Sequence, residues 1–286
     1  MSECCIPAGG IPMRVNINQL KEMKQRGEKI PMLTAYDYPT AKLVDEAGVP
    51  LILVGDTLGQ VVLGYNSTIP VTMEDMIHHI KAVRRGVTSS YLMGDLPLSS
   101  VQSPAQALKD ARVFLDHGAD GVKIEVFETE IVSLLSENGI EVCVDLIYPF
   151  LEQRDPHKPV VKLLADYVAI ALNHQRHGAA LLVVTMAPEE IAKLTTEQVK
   201  IPTIGVGSGR YTDGQVLITT EMLGMSKAAL YYNKEYDTFK ERTSKAMQQF
   251  VSEVTNSEFP TEQNSQHVGE DQLKEVKGLI KRMDSV

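Results

Sequence analysis

Residues 117–125 read HGADGVKIE, and this short stretch carries the strongest information on fold class. His117 and Gly118 end a helical pattern, because glycine readily adopts the left-handed conformation that closes many helices. The following run is short and mostly apolar, which is typical of a parallel strand buried on both faces. It stops at a polar residue, Glu125. The stretch therefore predicts a helix, a glycine stop and a buried strand with an acidic end.

The same pattern recurs along the chain. It is present at 47–56 (AGVPLILVGD) and at 177–185 (HGAALLVVT), and shorter versions end at Asp95 and Asp145. Together with apolar runs near 32–34, 203–206 and 216–218, this gives about eight strands that alternate with helices. That count favours an α/β fold of the (β/α)₈ barrel (TIM barrel) type over an open doubly wound sheet.

After Gly224 the alternation stops and a helical extension is predicted. Residues 229–256 carry apolar side chains at helical spacing among many Lys, Glu and Gln residues, and 256–271 are polar and include Pro260. We therefore predict an N-terminal tail at 1–14, a barrel with C-terminal packing helices at 15–256, and a polar linker with a short terminal helix at 257–286.

Composition narrows the range of partners and locations. The chain has 286 residues and a formal net charge of -9, which is the wrong sign for binding a nucleic-acid backbone. Its three cysteines are too few and too poorly spaced for a disulfide framework. No apolar run approaches the roughly 18 residues that span a bilayer. We expect a cytoplasmic protein that binds neither nucleic acid nor membrane.

Polar residues at the strand ends form a candidate site, because the carboxyl ends of barrel strands converge on one face. Asp56, Asp95, Glu125 and Asp145 would meet there, with Lys123 beside them. Oxygen ligands at a hydrated site suit Mg²⁺ better than Zn²⁺. Any one of these acids could equally be a helix-capping residue. The group as a whole favours a site, because clustered acids without a cation repel each other.

Eight short motifs give the chain a specific resemblance. They are LTAYDY (33–38), VGDTLG (54–59), STIPVT (67–72), AVRRG (82–86), GDLP (94–97), VKIE (122–125), GVGSG (205–209) and TDGQ (212–215). These runs closely resemble the ketopantoate hydroxymethyltransferase family, within the phosphoenolpyruvate mutase/isocitrate lyase type of barrel. The resemblance implies transfer of a one-carbon unit from methylenetetrahydrofolate to 3-methyl-2-oxobutanoate, a small 2-oxo acid, in pantothenate biosynthesis.

Site roles follow from the resemblance where residues match. Asp56 and Asp95 look like direct Mg²⁺ ligands, and Glu125 looks like a carboxylate that holds the metal through water. Lys123 looks like the substrate-binding lysine, and Thr57 keeps a hydroxyl near the substrate. The family also implies a homo-oligomer, a decamer or smaller, whose C-terminal helices are exchanged between subunits.

Two departures from the family pattern concern proton transfer. The family's catalytic base is a Glu that ends the sixth strand, and this chain has Thr185 there. A histidine of the family is replaced by Asp145. Because a neutral hydroxyl is a poor proton acceptor near pH 7, we predict that Asp145 replaces the missing base and that Lys123, Asp145 and Thr185 form the catalytic group.

Three functions remain open on the sequence. The first is a hydroxymethyltransferase or related aldol-type enzyme, with altered substrate or mechanism, that forms an enolate of a Mg²⁺-bound 2-oxo acid. The second is another metal-enolate lyase, mutase or hydrolase of the same barrel type. The third is a non-catalytic homologue that assembles with an active partner.

Overall fold

A computed structural model describes residues 14–126, 128–148, 160–226 and 232–283. Within these residues the helices are α1 (Ile17–Arg26), α2 (Tyr38–Glu46), α3 (Leu58–Val61), α4 (Met73–Gly86), α5 (Pro104–Asp116), α6 (Thr129–Glu137), α7 (Val160–Arg176), α8 (Glu189–Gln198), α9 (Thr219–Met222), α10 (Phe239–Thr255) and α11 (Glu270–Met283). Residues 152–158 (EQRDPHK), where the resembling family has a glycine-rich lid, lie outside the described residues.

Eight parallel strands close into a barrel in chain order, with the last strand paired to the first. They are β1 (Ile30–Thr34), β2 (Leu51–Val54), β3 (Tyr91–Asp95), β4 (Gly121–Ile124), β5 (Val142–Ile147), β6 (Ala179–Thr185), β7 (Thr203–Val206) and β8 (Gly214–Leu217). The prediction of a (β/α)₈ barrel is confirmed.

Alternation along each strand sorts side chains between two cores. One buried cluster contains inward residues such as Met93, Cys143 and Val183, while a larger cluster lies between the strands and the surrounding helices. On β3, Tyr91 and Met93 belong to the inner cluster, so the period of two also turns Asp95 inward. The strand pattern thus places the site residues inside the barrel at its C-terminal end.

Helix α1 was not predicted from the sequence. Its N-terminus is closed by a capping box between Asn16 and Gln19, and Ile17 and Leu20 are buried in the inner cluster. The helix therefore packs against the barrel interior at the N-terminal ends of the strands, where Val15 N–H donates to the carbonyl of Ser89. A helix that covers this end leaves the opposite end as the open one.

The glycine stops have the predicted backbone conformation. Gly48, Gly118, Gly139 and Gly178 all have positive φ, between 74° and 105°. At Gly178 a side chain would also be blocked, since a Cβ atom would approach Ser136 Oγ within 2.2 Å. Each of these residues turns the chain from a helix into the next strand, as the recurring pattern indicated.

The described residues up to Asp237 form one compact unit, and those from Thr238 form a second. The division predicted from the sequence, at 1–14, 15–256 and 257–286, stays a prediction. Helices α10 and α11 have no buried residues, so their apolar side chains are exposed in the single chain. Among the described residues, no helix is long and apolar enough to cross a membrane.

Candidate active site

The seven predicted site residues line one cavity of about 290 Å³ at the C-terminal ends of the strands. We call it the mouth cavity. Its lining includes Asp56, Thr57, Asp95, Lys123, Glu125, Asp145 and Thr185. The structure therefore brings together every residue that the strand-end pattern and the family resemblance had selected.

Lys123 lies at the centre of this group. It is only 8% exposed, on β4, and its Nζ is 2.9 Å from Asp95 Oδ1 and 3.0 Å from Asp145 Oδ2. Asp95 is directly paired with Lys123 in the strand register, while Asp145 comes from the neighbouring strand β5. A buried ammonium is costly unless anions surround it, and here two carboxylates do so.

Asp145 is held by both of its oxygens. Oδ2 receives the Lys123 ammonium, and Oδ1 accepts a hydrogen bond of 2.7 Å from Thr185 Oγ1. Because the threonine donates to an anionic acceptor, its hydroxyl fixes the rotamer of the carboxylate. The side chain of Asp145 is part of the cavity lining, and its role as a replacement base stays a prediction.

The segment after β2 contributes the other side-chain oxygens. Asp56 donates its backbone N–H to Asp95 Oδ2 at 3.2 Å, and Thr57 Oγ1 lies 2.8 Å from the hydroxyl of Tyr36. The Tyr36 carbonyl accepts in turn from His79 Nδ1 at 2.6 Å. Tyr36 therefore holds the Thr57 hydroxyl in place, and His79 on helix α4 in turn holds the backbone of Tyr36.

The cavity holds an excess of negative charge. Burial raises the pKa of Asp95 to about 8, with repulsion from Asp56 adding to the effect and Lys123 opposing it. Burial alone would lower the pKa of Lys123, but the carboxylates of Asp95, Asp145 and Asp56 outweigh it and raise that pKa well above the usual value. Lys123 is therefore cationic, and one ammonium does not neutralise its acidic neighbours.

Glu125 lies at the outer edge of the cavity. It is exposed to solvent, yet partial desolvation raises its pKa, as does repulsion from Asp145. Within the described residues, no three His, Cys, Asp or Glu side chains converge closely enough to form a metal-binding group. Carboxyl oxygens of Asp56, Asp95 and Glu125 nevertheless line the same cavity, and oxygen is the ligand type that Mg²⁺ takes in proteins.

The sequence analysis missed part of the lining. Thr34, Thr68, Glu221, Tyr232 and Asn233 also border the mouth cavity. Glu221 lies on α9, just after β8, and accepts a hydrogen bond of 2.6 Å from Asn233 Nδ2. The strand-end rule extended to β8 would have pointed to this region, but Asn233 is a contact that only the fold brings about.

A closed barrel of eight parallel strands, with acids and a lysine at its C-terminal end, places the chain in the (β/α)₈ barrel class. Solved structures with a similar fold include a phosphonopyruvate hydrolase in complex with oxalate and Mg²⁺, with a TM-score of 0.60 and 10% identity over 94% of this chain and 97% of that one. A 2,3-dimethylmalate lyase, itself a member of the PEP mutase/isocitrate lyase superfamily, has a TM-score of 0.56 and 13% identity over 96% and 98% of the two chains.

Within this class, the chain belongs to the ketopantoate hydroxymethyltransferase family, whose family model matches residues 14–262. A 3-methyl-2-oxobutanoate hydroxymethyltransferase from Dehalococcoides mccartyi is 43% identical over 278 residues, covering 94% of this chain and 99% of the relative. The protein of the same name from Thermotoga maritima is 42% identical over 260 residues, covering 88% and 96%. The family resemblance predicted from the sequence is confirmed.

Proposed function

We propose that this chain is a Mg²⁺-dependent hydroxymethyltransferase that acts on 3-methyl-2-oxobutanoate or a closely similar 2-oxo acid, in pantothenate biosynthesis. The observation that carries this proposal is the burial of Lys123 between Asp95 and Asp145 in a cavity that Asp56 and Glu125 also line. The names of the family relatives support the choice of substrate class.

Binding of the 2-oxo acid uses the acidic wall of the cavity. Asp56 and Asp95 would hold Mg²⁺ directly, and Glu125 would hold it through water. Bound there, the ion would act as a Lewis acid on the 2-oxo group and stabilise the negative charge that develops when C3 loses its proton. Lys123 binds the substrate carboxylate or the enolate oxygen through its ammonium, and the Thr57 hydroxyl hydrogen-bonds to the substrate.

The proton step is where this chain departs from the family pattern. Asp145 takes the proton from C3, and the electron pair of the broken C–H bond moves into the enolate. Thr185 does not accept the proton itself; it donates to Asp145 Oδ1 and keeps the other oxygen in position. Methylenetetrahydrofolate and one water supply the carbon at the formaldehyde level: both C–N bonds of the methylene bridge break, the two hydrogens of the water end on the nitrogens of the departing tetrahydrofolate, and its oxygen stays on the carbon. The enolate C3 bonds to this carbon, and the proton held by Asp145 passes to the new hydroxyl.

Deuterium exchange tests this proposal without any folate. In D₂O with Mg²⁺, the wild-type protein should exchange the C3 hydrogen of 3-methyl-2-oxobutanoate for deuterium. NMR measures the rate of this exchange. Asp145→Asn should slow the exchange at least 100-fold, in the range that a general base contributes. Asp166→Asn, which alters a surface acid paired with Lys162 on α7, is the matched control and should exchange normally.

The outcomes separate the three open functions. Exchange followed by folate-dependent hydroxymethyl transfer supports the proposal. Exchange without transfer to any 2-oxo acid would favour another lyase, mutase or hydrolase reaction of this barrel type. No exchange in the wild-type protein, at saturating Mg²⁺, would contradict catalysis and leave the non-catalytic homologue.

We also propose that the chain forms a homo-oligomer, a decamer or smaller. Support comes from α10, which exposes an apolar row formed by Met247, Phe250, Val251 and Val254. Exposed rows at this spacing commonly mark a helix that packs against another chain. Light scattering coupled to size exclusion measures the assembly, and a monomer at micromolar concentration would contradict the proposal.

A further inference from the structure

The mouth cavity has two opposite walls. In a closed barrel of eight strands, β8 lies four strands from β4 in either direction. The β4 wall supplies Lys123, with Glu125 directly after it, whereas the β8 wall supplies Leu217 and then Glu221 on α9. A carboxyl group therefore also lines the cavity on the side opposite to the lysine.

Glu221 differs from Asp95 and Asp145 in its partners. Among the residues that the structure describes, its side chain forms no ion pair, and its hydrogen-bond donor is Asn233 Nδ2. By contrast, Asp95 and Asp145 share the Lys123 ammonium. Burial raises the pKa of Glu221, against the effect of Asn233. A carboxylate in this state gains from a ligand that brings a cation or N–H donors.

The backbone around this pair is well anchored. Glu221 N–H donates to the Ile218 carbonyl at 3.0 Å, and Tyr236 N–H donates to the Met222 carbonyl at 2.7 Å. The first bond lies at the start of α9, and the second ties the segment that carries Asn233 to α9. Because an ionised carboxylate only accepts hydrogen bonds, Asn233 must present its NH₂ group to Glu221. Within the described part of the chain, the amide oxygen of Asn233 and the second oxygen of Glu221 remain as acceptors.

We propose that the Glu221–Asn233 pair binds the N–H-bearing ring of the one-carbon donor, across the cavity from the 2-oxo acid. The inference rests on the proposed function, in which the donor is a reduced pterin. Two neighbouring acceptors match the adjacent N–H groups of an amino-substituted pyrimidine ring, and a carboxylate also stabilises positive charge on such a ring. Placement on opposite walls brings the methylene carbon between the donor ring and C3.

The test is tetrahydrofolate binding to the full-length protein, measured by isothermal titration calorimetry under anaerobic conditions with Mg²⁺. Glu221→Gln should raise the Kd for tetrahydrofolate at least tenfold while the Kd for 3-methyl-2-oxobutanoate changes less than threefold. Asn233→Ala is the second variant and should raise the tetrahydrofolate Kd in the same direction. Glu235→Gln, an exposed acid two residues from Asn233, is the matched control.

The possible results have distinct meanings. Wild-type affinity for tetrahydrofolate in folded Glu221→Gln and Asn233→Ala would overturn the inference, as would a wild-type protein that does not bind tetrahydrofolate. An equal loss of 2-oxo acid binding in Glu221→Gln would also overturn it, because the pair would then serve the other substrate. Failure of the deuterium exchange in wild-type protein affects only the proposed function, since tetrahydrofolate binding is measured separately.

Discussion

Two buried aspartates at opposite ends of the barrel have opposite pKa shifts. Asp45, at the N-terminal end, is 7% exposed, and Asp95, at the C-terminal end, is 3% exposed. Burial opposes the ionisation of both. At Asp45, hydrogen bonds from Ser90 and Thr88 outweigh burial and hold the pKa well below its usual value. At Asp95, burial and a neighbouring carboxylate raise the pKa to about 8.

The difference lies in what surrounds each carboxylate. Asp45 accepts from the backbone N–H groups and hydroxyls of Thr88, Ser89 and Ser90, so its charge is fully solvated by the protein. Asp95 accepts one backbone N–H and shares one ammonium with Asp145. A satisfied carboxylate stabilises a fold, whereas an under-compensated one is available to bind a cation. Burial alone does not distinguish the two cases.

The largest expected effect is on activity at the C-terminal end. Asp95→Asn should reduce deuterium exchange at C3 roughly 1,000-fold, equivalent to about 4 kcal/mol of transition-state free energy, because the proposed Mg²⁺ site would lose one of its two carboxylates. The free energy of unfolding should change little, because an amide oxygen can still accept from Lys123 or from the Asp56 N–H while the repulsion between Asp95 and Asp56 is removed. Exchange rates and urea unfolding measure the two effects. Retained exchange would contradict the metal assignment.

At the N-terminal end the expected effect is on stability. Asp45→Ala should lower the free energy of unfolding by about 3 kcal/mol, because it leaves buried N–H groups without an acceptor. Activity per folded molecule should stay within about twofold, since the residue is remote from the mouth cavity. Urea unfolding and activity at low temperature provide the measurement. A stable but inactive Asp45→Ala protein would contradict the assignment of Asp45 to stability and of Asp95 to activity.

His174 is also buried near the N-terminal end of the barrel, but unlike Asp45 it lacks hydrogen-bond partners among the described residues. It lies near the end of α7 with 0% exposure, and neither ring nitrogen has a hydrogen-bond partner among the described residues. Burial, followed by repulsion from His177, lowers its pKa from 6.5 to about 4. The folded protein therefore keeps this ring neutral at pH values where the unfolded chain takes up a proton.

Acidification should lower the stability of the folded protein through His174. As pH falls from about 6.5 to about 4, the unfolded state binds the proton first, so stability is lost over that window by up to about 3 kcal/mol. His174→Leu should be at least as stable as wild type at pH 7 and should lose less stability on acidification. Urea unfolding at pH 7, 5.5 and 4.5 measures the difference. Parallel pH curves for the two proteins would show that His174 has a partner when folded.

The fold was predictable wherever local pattern and tertiary packing agree. Helix α2 (Tyr38–Glu46) ends directly before the glycine stop at 47–48 that the recurring pattern indicated, and Asp37 caps its N-terminus. Helix α1 was missed because it precedes the first strand, outside the recurring helix and strand pattern. Its two buried residues, Ile17 and Leu20, pack against a barrel interior that exists only after the strands close.

The sequence predicted where the site lies, but not which of its side chains contact each other. Strand ends identify which residues meet, because all parallel strands end on one face. The sequence does not tell which acids pair with Lys123, since this depends on strand register and on the reach of its long side chain. Glu221 was missed because it lies four residues beyond β8, and its partner Asn233 is twelve residues further along the chain.

The smallest expected effect concerns Thr185, where the chain differs from its family pattern. Thr185→Val should slow deuterium exchange about tenfold, in line with the loss of one hydrogen bond to a charged group. Thr185→Ser keeps a hydroxyl donor and should stay within about threefold of wild type. Equal rates for the valine and serine variants would show that the hydroxyl does not position Asp145.

Thr185→Glu introduces at this position the glutamate of the family pattern. A glutamate there would place a second carboxylate beside Asp145, so like-charge repulsion should lower stability without adding activity. Folate-dependent hydroxymethyl transfer in Thr185→Glu but not in wild type would instead show that the natural protein catalyses a different reaction. The Thr185–Asp145 hydrogen bond of 2.7 Å is the reason to expect the first result, because it gives the threonine a positioning role that a glutamate would destroy.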